Sequence, residues 1–261
     1  MTAPEPVSTA VEGPIATVTF GQPPLNLLSK TVKATLTQAF LELGERTDVR
    51  VVVLRGAGSQ AFSAGADVTE FPERIRDGNA RQVSENGHRM AEAITGCGKP
   101  VIAAIDGYAF GAGLEVALCA DLRLASDRSR FAFPEVNRGV FPGNGGSQLI
   151  TRLVGPARAK ELMLLGSQID ARQAHSMGLV NRVLPASELY DAAAELSAEL
   201  AERPATATRF IKRLVDEGGE LPMADALELE ARLFGEVFRT ADVAEGAAAF
   251  LEKRTPVFRH R

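Results

Sequence analysis

Residues 107–125 read "GYAFGAGLEVALCADLRLA". Everything before Asp121 is small or apolar except Glu115. Gly111-Ala112-Gly113 forms a glycine corner, and the residues behind it read as a helix over 113–120. "DLRLAS" then reads as a strand. A carboxylate in the first turn of such a helix is favoured by the helix dipole, so Glu115 serves either as a capping charge or as part of a site.

Outward from this segment, the same unit recurs. "VRVVVLRGAG" and "KPVIAAIDG" read as buried strands ending in glycine turns, and "GPIATVTF" as a half-buried strand. Ser29 is placed to N-cap a helix through "KTVKATLTQAFLELGE". "DLRLASDRSRFAFPEV" reads as two short strands around a polar turn, Ser126 to Ser129, with a hairpin as the expected connection. "GLVNRVL" reads as a late strand, and further helices are expected near 79–96, 145–154, 157–165 and 171–177. From about residue 186 the pattern is wholly helical, with Pro204 and Pro222 near helix starts. Strands alternating with helices and then a helical tail define an α/β fold. The expected division is residues 1–200 as the core that carries the site and 201–261 as a helical region.

Composition limits the function. The chain has 261 residues and a net charge of −4, from 29 basic and 33 acidic residues, with no basic block. That disfavours nucleic acid as a partner. No apolar run approaches the about 20 residues of a membrane span, and the first residues lack a signal or transit pattern, so the expectation is a soluble, cytoplasmic protein. Cys97 and Cys119 are too few for a disulfide framework and read as small buried hydrophobes. His88, His175 and His260 are scattered without ligand spacing, so no metal site is expected.

Two corners share one design. "AFSAGADVTEF" (61–71) and "YAFGAGLEVAL" (108–118) each place very small residues between a strand and a helix. There another molecule can approach the backbone, and N–H groups at a helix start are free to donate. Two such corners side by side would aim two donors at one point, which is the construction of an oxyanion hole; the alternative is two tight turns packed for space. Glu135, in "FAFPEV", follows Glu115 by twenty residues, enough to return it to the same end of a sheet. A carboxylate pair beside a small pocket is equipment for general acid–base chemistry. "GNGGSQ" (143–148) is a glycine-rich turn before a helix, able to cradle an anion or to serve only as a turn.

These blocks, with "KPVIAAIDGYAFGAGLEVALCADLRLAS", "FAFPEVNRGVFPGNGGSQLITRLVG" and "EGAAAFLEKRTPVF", resemble the enoyl-CoA hydratase/isomerase (crotonase) family in order, over about residues 10–258. The resemblance implies a spiral of β-β-α turns followed by a C-terminal helical assembly region, and a homotrimer or a hexamer of paired trimers. It implies an acyl-CoA thioester as ligand, with coenzyme A belonging to the substrate and no separate cofactor. By motif position the thioester oxygen falls between the backbone N–H groups of Ala66 and Ala112, and the two hydratase glutamates fall on Glu115 and Glu135. Leu25, Leu27, Ala64, Asp67, Gly111, Gly143, Phe250 and Lys253 match positions that contact substrate or coenzyme A.

The reaction so implied is addition of water to a 2-trans-enoyl-CoA, giving a 3-hydroxyacyl-CoA. The alternatives are another reaction of the family, such as double-bond isomerisation, or acyl-CoA binding without turnover. The sequence departs from the common pattern at Gln60, where many relatives carry a lysine, at Asp106 and at Leu149. Asn144 stands beside the pocket glycines, either touching the acyl chain or closing the turn. The segment 68–96, which lines the acyl pocket in the family, is polar here, and His88 within it is either a surface or a pocket group.

Overall fold

The computed structural model describes residues 5–260. In chain order its strands are β1 (Val7–Glu12), β2 (Ile15–Phe20), β3 (Val51–Gly56), β4 (Ala61–Ser63), β5 (Val101–Ile105), β6 (Tyr108–Phe110), β7 (Leu122–Ser126), β8 (Arg130–Ala132), β9 (Ile169–Asp170) and β10 (Arg182–Leu184). The helices are α1 (Lys30–Glu45), α2 (Phe71–Asp77), α3 (Ala80–Thr95), α4 (Ala112–Leu118), α5 (Gly146–Val154), α6 (Pro156–Leu165), α7 (Ala171–Ser176), α8 (Leu189–Ala201), α9 (Ala205–Asp216), α10 (Met223–Val237) and α11 (Ala241–Glu252).

The strands form two sheets. One runs β1-β2-β3-β5-β7-β10 and the other β4-β6-β8-β9. From β3 onward the chain lays one strand in the first sheet and the next in the second, adds a helix, and repeats. β3-β4-α2-α3, β5-β6-α4 and β7-β8-α5 are successive turns of this spiral. Neighbouring strands contributed by these turns are parallel in both sheets.

The polar turn expected to close a hairpin does something else. β7 pairs with β5 and β8 pairs with β6, so the chain crosses from one sheet to the other at Ser126–Ser129. The Ser126 and Ser129 hydroxyls lie 2.9 Å apart, and Ser129 donates to the Ile105 carbonyl at 2.9 Å. Satisfying these buried groups holds the crossing without a ladder between the two strands. β1, which the sequence reading leaves unassigned, is an antiparallel edge strand on β2.

β3 and β5 are buried almost throughout, as their unbroken apolar runs require. Alternate residues face opposite ways. Val51, Val53, Ile102, Ala104 and Leu124 pack against Leu189, Ala193 and Ala201 of α8. Val52, Leu54, Val101, Ala103 and Ile105 join the main core with α1, α3 and the second sheet. Ser29 caps α1 as expected, accepting from Val32 N at 3.3 Å. Cys97 and Cys119 are free and buried, and burial pushes the Cys119 thiol up to about 12. No helix among the described residues is long and apolar enough to cross a membrane.

Candidate active site

β4, β6 and β8 are adjacent and parallel, so the segments leaving their C-terminal ends emerge side by side. Those segments carry Ala64–Asp67, Gly111–Glu115 and Phe133–Glu135. Contact between the first two is close. A β-carbon on Gly113 would stand 2.5 Å from the Ser63 carbonyl oxygen, and one on Gly65 would stand 3.0 Å from the Phe110 oxygen and 3.8 Å from the Ala112 nitrogen. Only glycine permits this approach.

The two backbone donors are free for different reasons. Ala112 is the first residue of α4, where an N–H has no acceptor within the helix. Ala66 is not at an α-helix start, contrary to expectation: the first corner leads into a 3-10 turn, Val68–Glu70, before α2. Its N–H is left over from a parallel bridge to Leu28. Leu28 N donates to Gly65 O at 2.9 Å and Asp67 N donates to Leu28 O at 3.4 Å, passing over Ala66. Asp67 caps the 3-10 turn by accepting from Thr69 N at 3.0 Å and from its hydroxyl at 2.6 Å, and the hydroxyl bond holds the carboxyl below its usual range.

Glu115 is buried, 1% exposed, in the first turn of α4. Its Oε1 accepts from Asn144 N at 2.7 Å and from Gly146 N at 2.9 Å, at the start of α5. Its Oε2 accepts from Asn144 Nδ2. A carboxylate offers about four acceptor sites, so Oε2 retains capacity for a further donor such as water. The glycine-rich turn 143–148 is therefore a cradle for a side chain of this protein. A β-carbon on Gly146 would meet Glu115 Cγ at 2.6 Å.

Glu135 is the second residue of the 3-10 turn Pro134–Arg138, which follows β8 after Phe133. Its Oε2 is buried without a hydrogen-bond partner. Burial raises its carboxyl to about 7, and the charge of Glu115 adds to the effect. One carboxylate is thus tethered at both oxygens, with capacity left on Oε2, and the other has a buried oxygen without a partner.

The remaining expected residues divide. Leu25 O accepts from Ala64 N at 2.8 Å, so the 23–28 segment lies along the first corner, with Leu25 and Leu27 half-exposed on either side of buried Asn26. Asn26 donates to Ala57 O at 2.8 Å and Ala61 O at 2.7 Å, and its own carbonyl accepts from Ser63 Oγ at 2.7 Å. Gly143 O accepts from Ser84 Oγ of α3 at 2.6 Å. Phe250 and Lys253 are exposed at the end of α11, and among the described residues neither side chain bonds to the corners. His88 is exposed on α3. Asp106 is buried and bound by both arms of Arg128, at 2.8 and 2.5 Å.

The sequence reading missed Lys33. It is 5% exposed on α1, and its Nζ donates to Asn144 Oδ1 at 2.6 Å. The signal was present: Lys33 shares a helical stripe with Leu36, Phe40 and Leu43, all buried.

Two free N–H donors and two carboxylates gathered at three parallel strand ends agree with a sequence comparison in which the enoyl-CoA hydratase/isomerase family model matches residues 10–261. The chain belongs to this family. Its relatives include a short-chain-enoyl-CoA hydratase of Clostridium acetobutylicum, 36% identical over 93% of each chain, and a crotonyl-CoA hydratase of Syntrophomonas wolfei, 36% identical over 90% of each. The solved enoyl-CoA hydratase of Bacillus anthracis superposes with a TM-score of 0.92 at 32% identity, covering 98% of this chain and 100% of its own. The spiral and the C-terminal helices are those of the enoyl-CoA hydratase/isomerase fold.

Proposed function

We propose that this member of the family is a 2-enoyl-CoA hydratase that acts through Glu115, Glu135 and the N–H groups of Ala66 and Ala112. The observation that carries this reading is the pairing of unlike carboxylates: Glu115 held by three N–H donors, and Glu135 with an unpartnered buried oxygen and a raised pKa of about 7. A carboxyl that keeps its proton to about 7 can act as the acid, and a second carboxylate held in place by N–H donors can act as the base.

In this reading Glu115 binds the water on Oε2 and takes its proton as the oxygen bonds to the β-carbon. The π electrons move onto the thioester oxygen, where the two N–H groups receive the charge; one such donor is worth about 2.7–4 kcal/mol. Glu135, protonated, gives its proton to the α-carbon as the enolate collapses. The proton on Glu115 then returns to Glu135 through solvent, and the net change is addition of one water. The names of the relatives support beginning with a short, unbranched enoyl-CoA. Assembly as a homotrimer or hexamer through residues 201–261 belongs to the same proposal, supported by exposed Phe234 on α10, Phe238 just past its end, and Phe250 and Leu251 on α11.

The test is hydration of crotonyl-CoA, followed by loss of the conjugated thioester absorbance and by identification of 3-hydroxybutyryl-CoA. The wild type is expected to turn over, and Glu135→Gln to lose about 10²–10⁴-fold in kcat. A wild type that shifts the double bond of a 3-enoyl-CoA but adds no water would replace this reading with isomerisation.

A further inference from the structure

Lys33 interrupts an otherwise apolar stripe of α1, where Val32, Leu36, Phe40 and Leu43 are buried. A buried ammonium costs several kcal/mol unless it is paired, and an apolar residue of similar size would serve the core as well. Burial pushes the Lys33 amine below its ordinary pKa, while Glu115 pulls it back up; from α2 and the turn before it, Arg74 opposes the charge and Glu70 supports it.

What the lysine touches is Asn144, and what Asn144 touches is Glu115. Room for the asparagine comes from a third element. A β-carbon on Gly87 of α3 would stand 2.0 Å from Asn144 Oδ1 and 2.8 Å from its Cβ. Two helices therefore accommodate one amide, which bonds the candidate water-binding carboxylate.

An asparagine amide can present either end. With Oδ1 toward Glu115, two acceptors would meet and the carboxylate would be pushed away. Lysine has donors and no acceptor, so it captures Oδ1 and leaves Nδ2 for Glu115. We propose that Lys33 is a positioning residue for Glu115, fixing the Asn144 amide so that it holds Oε2 beside the attacking water. The proposal rests on the hydratase reading for the role of Glu115, but not for the Lys33–Asn144–Glu115 linkage itself.

The test uses Lys33→Met, Asn144→Ala and the double variant, assayed with crotonyl-CoA and by urea denaturation, together with a crystal structure of Lys33→Met. Methionine fills the lysine's place in an apolar stripe but leaves Asn144 Oδ1 without its donor, so the two effects oppose one another and Lys33→Met is expected to fold with a urea midpoint near that of the wild type. Its kcat should nevertheless fall by about 10–100-fold with KM little changed, the scale of a slightly misplaced catalytic group. Asn144→Ala should lose as much, and the double variant no more than either. In the Lys33→Met crystal, Glu115 should leave the position it holds against Asn144. An unchanged kcat in Lys33→Met, losses that multiply in the double variant, or loss of stability without loss of kcat would overturn the proposal. If the wild type adds no water to any enoyl-CoA, the hydratase reading fails separately, and the crystal decides: Glu115 unmoved against Asn144 in Lys33→Met overturns the linkage, and Glu115 displaced upholds it.

Discussion

Gly111 and Glu135 occupy one another's space: a β-carbon on Gly111 would stand 2.7 Å from Glu135 Oε1. Gly111 also has φ +51° and ψ −123°, a backbone that side chains disfavour. One glycine therefore turns the chain into α4 and leaves the opening in which Glu135 sits.

Gly111→Ala is expected to cost of order 1–3 kcal/mol in stability from backbone strain. It should also displace Glu135 and lower kcat by about 10²-fold. Urea denaturation and crotonyl-CoA kinetics on the same preparation check both. Full activity in the variant would mean that Glu135 is not confined by this contact.

The raised pKa of Glu135, about 7, gives stability a pH dependence of known sign. The unfolded carboxyl releases its proton near 4.5, whereas the folded one keeps it to about 7. Over that window the native state binds more protons, so this group's contribution to stability falls as pH rises. Glu135→Gln, which is never charged, should match the wild type at pH 4 and exceed it by about 1–3 kcal/mol at pH 8. Denaturation at both pH values is the check, and a gap independent of pH would contradict the shift.

The same proton sets the rate. Hydration in the proposed reaction uses protonated Glu135, so kcat/KM for hydration should fall as pH rises through about 7. Dehydration of the 3-hydroxyacyl-CoA needs one proton on the same pair of carboxyls, and the net reaction exchanges no proton with solvent, so its kcat/KM should fall over the same range. Profiles that stay flat through about pH 7 in both directions would remove Glu135 from the α-carbon step.

Asp106 and Arg128 are unequal partners. The aspartate side chain is 4% exposed and the arginine side chain 52%. Arg128→Ala strands a buried carboxylate and should cost about 1–3 kcal/mol. Asp106→Asn keeps a hydrogen bond and frees an arginine that water can reach, so it should cost less. Comparison of the two urea midpoints decides the order.

Much of this architecture is legible in the chain because the relevant signals are local. The buried runs of β3 and β5, the cap at Ser29 and the glycine corners at 61–66 and 108–113 announce themselves within a few residues. What escaped depends on partners far away in sequence. "DLRLASDRSRFAF" looks the same whether its strands pair with each other or join separate sheets, because the decision is made by β5 and β6. The Ala66 N–H is freed by Leu28, not by a helix. Lys33 sits on a readable apolar stripe, but a charge at one position of such a stripe usually marks its edge. Its partner lies 111 residues further along the chain.

The spiral separates the parts that the proposed chemistry requires. Ala66, the Ala112–Glu115 pair and the Glu135–Asn144 stretch each leave a different winding, and each winding is anchored by its own strand in both sheets. One connection can therefore lengthen, shorten or change its residues while the other two stay in register. Such a scaffold can trade one proton-handling group for another without rebuilding the cradle for the oxyanion. Diversification of its chemistry requires rewriting a loop, and the frame around that loop survives the edit.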